Sequence, residues 1–137
     1  MPPPDSAHHT HEIIHQICRY TVGGIWLYQG LVPKLLGPHV DELAMSRAFG
    51  IPSELQPALS QLIGAGEIAF GILLIVLHER AWRQWLSAIV TALLLAFVAL
   101  YAPAYLAGAF NPVVMNGASI ALSAIAILVL GHRQRAP

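Results

Sequence analysis

The chain has 137 residues, of which 56% are hydrophobic and 10% charged. Soluble domains carry about 25% charged residues, so this chain lacks the charge to coat a water-facing surface, and a soluble enzyme is excluded. Seven Lys+Arg balance seven Asp+Glu, which leaves no basic stripe of the kind a nucleic-acid binder presents.

Residues 1–16 form a polar, His-rich N-terminal tail without the basic start of a secretory signal. The first apolar segment, residues 17–36, reads ICRYTVGGIWLYQGLVPKLL. Its length matches a hydrocarbon core of roughly 30 Å, and Pro33 is expected to loosen or end its last turn. A polar stretch follows, in which Val40, Leu43, Ala44 and Ala48 share helical spacing, so a short interfacial helix is expected there. Ser53, just after Pro52, has the character of a helix N-cap.

The second segment, residues 57–77, carries one ionisable residue near its middle, Glu67. The third, residues 85–106, has no charge at all. Asn111-Pro112 then starts a fourth, residues 113–130, with proline at the first helical position. A basic tail, residues 132–137, ends the chain. Arg19, Arg80, Arg83, Arg133 and Arg135 fall on one side of a four-span arrangement, and Lys34 and Arg47 on the other. The positive-inside rule places both termini in the cytoplasm. The expected fold is therefore an all-α integral membrane four-helix bundle, residues 17–131, surrounded by the lipid bilayer. Ala65/Ala69, Gly117/Ala121 and Ser119/Ser123 are small residues four apart, a spacing that permits close helix packing.

Glu67 is the most informative position. About ten residues into its segment, it lies roughly 15 Å below the outer end, near the bilayer midplane. A carboxylate there costs about 2.5–3.5 kcal/mol on the insertion scale and must face protein. Two roles remain open for it: a proton carrier or ligand-binding acid, and a structural hydrogen bond between helices. Tyr28 and Gln29 fall at nearly the same depth. Lys34 lies higher, placed either to point inward at Glu67 or to snorkel to water. Trp26, Gly30 and Lys34 are spaced by four and share one helix face, on which Gly30 leaves a notch. Asn116, Asn111, Tyr101 and Tyr105 lie near the outer end. Asn111 is also placed as an N-cap and the tyrosines as interfacial anchors.

His11-Glu12-Ile13-Ile14-His15 matches HExxH, which on a helix sets two imidazoles on one face as zinc proteases require. The match sits in a tail crowded with histidines, and no third ligand is apparent, so a zinc hydrolase is not the expected function. Cys18, the one cysteine, excludes an internal disulfide.

Four runs, taken in order, resemble the DoxX-like membrane proteins: WLYQGLVPKLL (Trp26 to Leu36), DEL (Asp41 to Leu43), GAGE with its later glycine (Gly64 to Gly71) and FNPVVMN (Phe110 to Asn116). The resemblance covers residues 15–133 and leaves out the His-rich start. It implies the four-helix membrane fold of the wider DoxX group. Some members of that group are subunits of a thiosulfate:quinone oxidoreductase, and others are linked to membrane redox or oxidative-stress complexes. The positions it carries over are Trp26, Tyr28, Gly30, Lys34, Glu67, Asn111, Pro112 and Asn116.

With that resemblance, a midplane acid beneath aromatic and amide groups points to an accessory subunit that binds a small apolar molecule, plausibly a quinone. Glu67, Lys34, Trp26, Tyr28, Gln29, Gly30, Asn116 and Asn111 are its expected site. No cofactor is intrinsic to the chain, so it is not expected to catalyse electron transfer alone. A membrane or peripheral oxidoreductase partner, a homo-oligomer and a place in the bacterial inner membrane are the further expectations. The competing functions are a structural or assembly protein and a small proton-coupled transporter.

Overall fold

The computed structural model describes residues 4–108 and 112–133, which contain five α-helices and no strand. Helix α1 (Pro4–Gly30) begins well before Ile17. Proline at its first position costs no hydrogen bond, and neither glycine nor proline interrupts residues 5–22. Residues 4–16, expected as a tail ahead of the first helix, therefore extend it. Its 27 residues span about 40 Å at 1.5 Å each, longer than a bilayer core of roughly 30 Å.

Pro33 has no N–H to give to the helix ladder. The chain there widens into one π-helical turn, Leu31–Leu35, closed by a 2.8 Å bond from the Leu36 N–H to the Leu31 carbonyl. His39 caps α2 (Val40–Ala48), its Nδ1 accepting from the Asp41 N–H. The inward face of α2 differs from the expected one: Glu42, Met45, Ser46 and Phe49 line the interior, and Val40 is 67% exposed. Helix α3 (Gln56–Val76) is capped at Leu55 and not at Ser53. The Ser53 hydroxyl donates to Glu54, while the buried Gln56 amide donates to the Ile51 carbonyl at 2.8 Å and fixes the helix start. Helix α4 (Trp82–Tyr101) stops before the expected residue 106, because Pro103 disfavours helical backbone at Ala102. A 3₁₀ turn, Pro103–Ala107, follows, and Pro112 opens α5 (Pro112–Arg133) as expected.

Helix α1 is central. It packs antiparallel to α3 on one side and against α5 on the other, and α4 packs against α5. Two glycine pairs draw α1 and α3 together. Gly30 meets Gly64, and Gly23 meets Gly71, backbone against backbone. The glycines stand seven apart on both helices, so they recur on one face after two turns. The small residues singled out in the sequence behave unevenly. Ser119 and Ser123 are buried, whereas Ala65, Ala69, Gly117 and Ala121 are exposed and mark no contact within the chain. In contrast to the α1–α3 seam, α3 and α4 scarcely touch although only residues 77–81 separate them.

The interior is more polar than the exterior. On α4 the buried residues are Gln84, Ser87, Thr91 and Val98, while Trp85, Ile89, Leu93 and Leu100 point outward. Soluble proteins have the reverse distribution. Helices α3, α4 and α5 are each long and apolar enough to cross a membrane, with 22%, 22% and 28% of their apolar windows buried inside the protein. Apolar surface on that scale is the mark of a membrane or protein partner. Helix α1 is not among the three: His15, Gln16, Arg19 and Gln29 interrupt its apolar run.

Candidate functional site

Lys34 sits in the π-helical turn, and its Cβ lies against Gly64 of α3, where the absent side chain leaves room. From there its ammonium reaches two carboxylates. Nζ is 3.1 Å from Glu67 Oε2 on α3 and 3.1 Å from Glu42 Oε1 on α2. The side chains of Lys34, Glu42 and Glu67 are 9%, 19% and 10% exposed. Lys34 thus points inward, one of the two orientations open to it from the sequence. Two carboxylates against one ammonium leave the group one negative charge in surplus when all three are ionised.

The triad forms part of the wall of a cavity of about 410 Å³. Trp26 and Gln29 line it from α1, and Asn116 and Ser119 from α5. Met45 of α2 and Phe49, the residue that ends it, line it on another side, and α4 contributes Leu94 and Phe97. Trp26 is fixed on both sides. Its indole N–H donates to Ser87 Oγ at 2.9 Å, and its ring meets Phe70 edge-on at 5.0 Å. The Gln29 amide contacts the Met115 sulfur at 3.5 Å, which joins α1 to α5 beside the cavity. Phe49 packs against Phe97 and Tyr101, at 5.4 and 5.7 Å between centroids, and this aromatic contact holds α2 to α4.

A family model for the DoxX-like family matches residues 23–124. The chain belongs to the DoxX-like family. No curated protein and no solved structure matches it significantly. The matched region of this DoxX-like protein contains the whole triad and Asn116 and leaves out His11, His15 and His132.

Five of the expected residues, Trp26, Gln29, Lys34, Glu67 and Asn116, come together around the cavity. Tyr28 does not: it is 59% exposed on the outer surface of α1. Nor does Gly30, whose notch is filled by the Gly64 backbone instead of a ligand. Asn111 lies outside the described residues. Tyr101 is 51% exposed against Phe97, and neither it nor Tyr105 lines the cavity. The residue that sequence reasoning missed is Glu42. Its signal was the spacing of Glu42, Met45, Ser46 and Phe49, one helix face carrying an acid among larger side chains.

The histidines meet at the opposite end of the molecule. His11 lies 6.0 Å from His132, and His15 lies 5.4 Å from His78, between ring centroids. Among the described residues no group of three or more His, Cys, Asp or Glu is disposed to hold a metal ion. His11 and His15 thus face different partners, His132 on α5 and His78 after α3, while Glu12 accepts from Gln16 on its own helix. Cys18 is buried and away from the cavity.

Proposed function

We propose that this DoxX-like protein is a four-span membrane protein whose cavity binds a small ring-shaped apolar molecule, quinone-like in chemistry, as an accessory part of a membrane redox system. One observation carries the proposal: a charged triad, Glu42–Lys34–Glu67, forms one wall of an otherwise largely apolar cavity. Ligand pockets of this kind span about 300–1,000 Å³ and combine apolar walls with a few placed polar groups. A quinone fits that chemistry. Its carbonyls accept hydrogen bonds, which Lys34, Gln29 and Asn116 are placed to donate, and its flat ring suits the faces of Trp26 and Phe49. Its reduction to a quinol takes up two electrons and two protons. In this reading the electrons come from an oxidoreductase partner. The surplus carboxylate of the triad holds and passes on protons.

In this proposal α1 is the fourth span, shielded on two sides by α3 and α5, so that Gln29, against Met115 of α5, meets protein and not lipid. Arg19, Arg80 and Arg83 gather at the end where His15 meets His78, and Lys34 lies at the other. That distribution favours cytoplasmic termini in a cell membrane, the bacterial inner membrane in our reading, with Glu67 inside the bilayer.

The test is binding of a short-chain benzoquinone to the purified protein in micelles. Glu67→Gln and Lys34→Met are expected to weaken binding about tenfold, since hydrogen bonds to charged groups contribute about 1.5–3 kcal/mol. Equal affinity in all three proteins removes the triad from the site. A second reading is favoured by the complete pairing of Lys34: the triad serves only to lock α2 and α3 onto the π-helical turn. In that case both variants lose stability in detergent and no quinone binds to any of them.

A further inference from the structure

We infer that the ligand of this cavity is an amphiphile with a hydrocarbon tail, and that the tail lies in an adjoining, largely apolar slot between α3 and α4 that opens sideways toward lipid. The inference rests on the ligand site proposed above and specifies which molecules reach it and by what route.

Three observations converge on the slot. First, α3 and α4 scarcely touch backbone to backbone, and the Trp26 indole, edge-on to Phe70 and bonded to Ser87, holds them apart. Second, that space forms a second cavity of about 280 Å³. Gly66 and Phe70 line it from α3, and Leu86 and Val90 from α4. Third, it adjoins the polar cavity. Trp26, Ile63, Glu67 and Leu94 belong to both.

The chemistry changes sharply along this path. At one end stand Lys34, Glu42, Gln29 and Asn116. In the slot, Glu67 at the junction is the single ionisable side chain, and every other lining residue is apolar. From Ile63 to Phe70 the slot follows α3 for about 10 Å at 1.5 Å per residue, away from Lys34 and along the helix axis. A spanning helix lies close to the bilayer normal, so a tail in the slot runs beside the lipid chains. Water-soluble ligands have no use for such a slot. For a lipid-borne molecule it is a way in: the tail stays in an apolar medium throughout, while the head slides past Trp26 to the triad. Gly66 keeps the slot clear, since a Cβ built there meets nothing within 4 Å.

The experiment compares two probes on the full-length protein in micelles: a benzoquinone bearing a ten-carbon chain and the same ring bearing a methyl group. Gly66→Phe places a ring in the slot and is expected to weaken the long-chain probe at least tenfold while leaving the methyl probe within twofold. Leu86→Trp, from the opposite wall, is expected to do the same. Gly117→Phe, on an exposed face of α5 where a Cβ also meets nothing, is expected to change neither. Unchanged affinity of Gly66→Phe and Leu86→Trp for the long-chain probe overturns the slot and leaves the head-group site standing. A changed oligomeric state without loss of the long-chain probe also overturns it, by making the slot a contact between copies. If the wild-type protein binds neither probe, both the slot and the proposed quinone site fall.

Discussion

Replacing Gly71 by alanine tests the α1–α3 seam directly, away from the charged triad. A Cβ at Gly71 stands 2.8 Å from the Gly23 carbonyl oxygen and 3.0 Å from the Leu27 nitrogen, and both are backbone atoms that no rotamer change can move. Ordinary contact begins at 3.4 Å, so the two helices must part by about 0.6 Å (3.4 minus 2.8). A gap of 0.5–1 Å forfeits roughly a quarter to a half of the dispersion attraction of each atom pair, and overpacking in general costs about 1–3 kcal/mol. Against this stands the gain of about 0.5–1 kcal/mol when alanine replaces glycine inside a helix. The net expectation is a loss of about 1–2 kcal/mol. Gly66→Ala, on the same helix with open space at its Cβ, carries the gain without the clash and is expected to stabilise. Reversible unfolding in mixed micelles, followed by helical circular dichroism, reads both. Gly64→Ala provides a further check: its Cβ stands 2.7 Å from the Gly30 carbonyl oxygen, and the parting that relieves one clash relieves the other. The double variant Gly64→Ala/Gly71→Ala is therefore expected to cost less than the sum of the singles. A shift of Gly71→Ala and Gly66→Ala in the same direction refutes the close-packed seam.

Lys34→Met leaves two carboxylates, Glu42 and Glu67, facing a vacated cation, and is expected to cost about 3–5 kcal/mol in the same unfolding assay. Adding Glu67→Gln recovers part of that loss; strictly additive effects contradict the triad. Trp26→Phe removes the donor to the fully buried Ser87 hydroxyl and is expected to cost about 1–3 kcal/mol, with no such loss from Trp82→Phe on the exposed start of α4. For topology, Ser53→Cys and Glu79→Cys are made in a Cys18→Ser background. The first is expected to react with an impermeant thiol reagent in intact cells, the second only after permeabilisation. Labelling from the same side contradicts four spans.

The three apolar helices α3, α4 and α5 were legible because hydropathy and proline placement act locally. The starts of α3 and α5 fall within one residue of expectation, and Pro33 loosens the chain where it should. The start of α1 was not legible, because hydropathy measures affinity for lipid, whereas a polar helix is held by the absence of breakers and by histidine contacts with α5 and the end of α3. The pairing of Lys34 with Glu67 was visible as one of two orientations, since depth along a helix follows from residue number. What decided it was the π-helical turn and the fold-back of α2, and neither has a periodicity to read. Gly30 shows the same limit from the other side. Its notch was evident, but its occupant depended on Gly64 lying opposite, which is a matter of register between helices. The pattern was nonetheless present: Gly23 and Gly30, Gly64 and Gly71, each seven apart.

That glycine register also accounts for the position of the cavity. Close approach of α1 and α3 commits the large side chains of α1 that lie off the seam, Trp26 above all, to the side facing α4 and α5. Trp26 is too long to let α3 and α4 close over it, and its bond to Ser87 fixes how far α4 stands off. The gap that results is bounded by the close glycine seam on one side and an indole on the other. A charged triad at one end of such a gap is costly unless its surplus charge is met by something that enters, and in the proposal above that is a proton together with the hydrogen-bonding ring of the ligand.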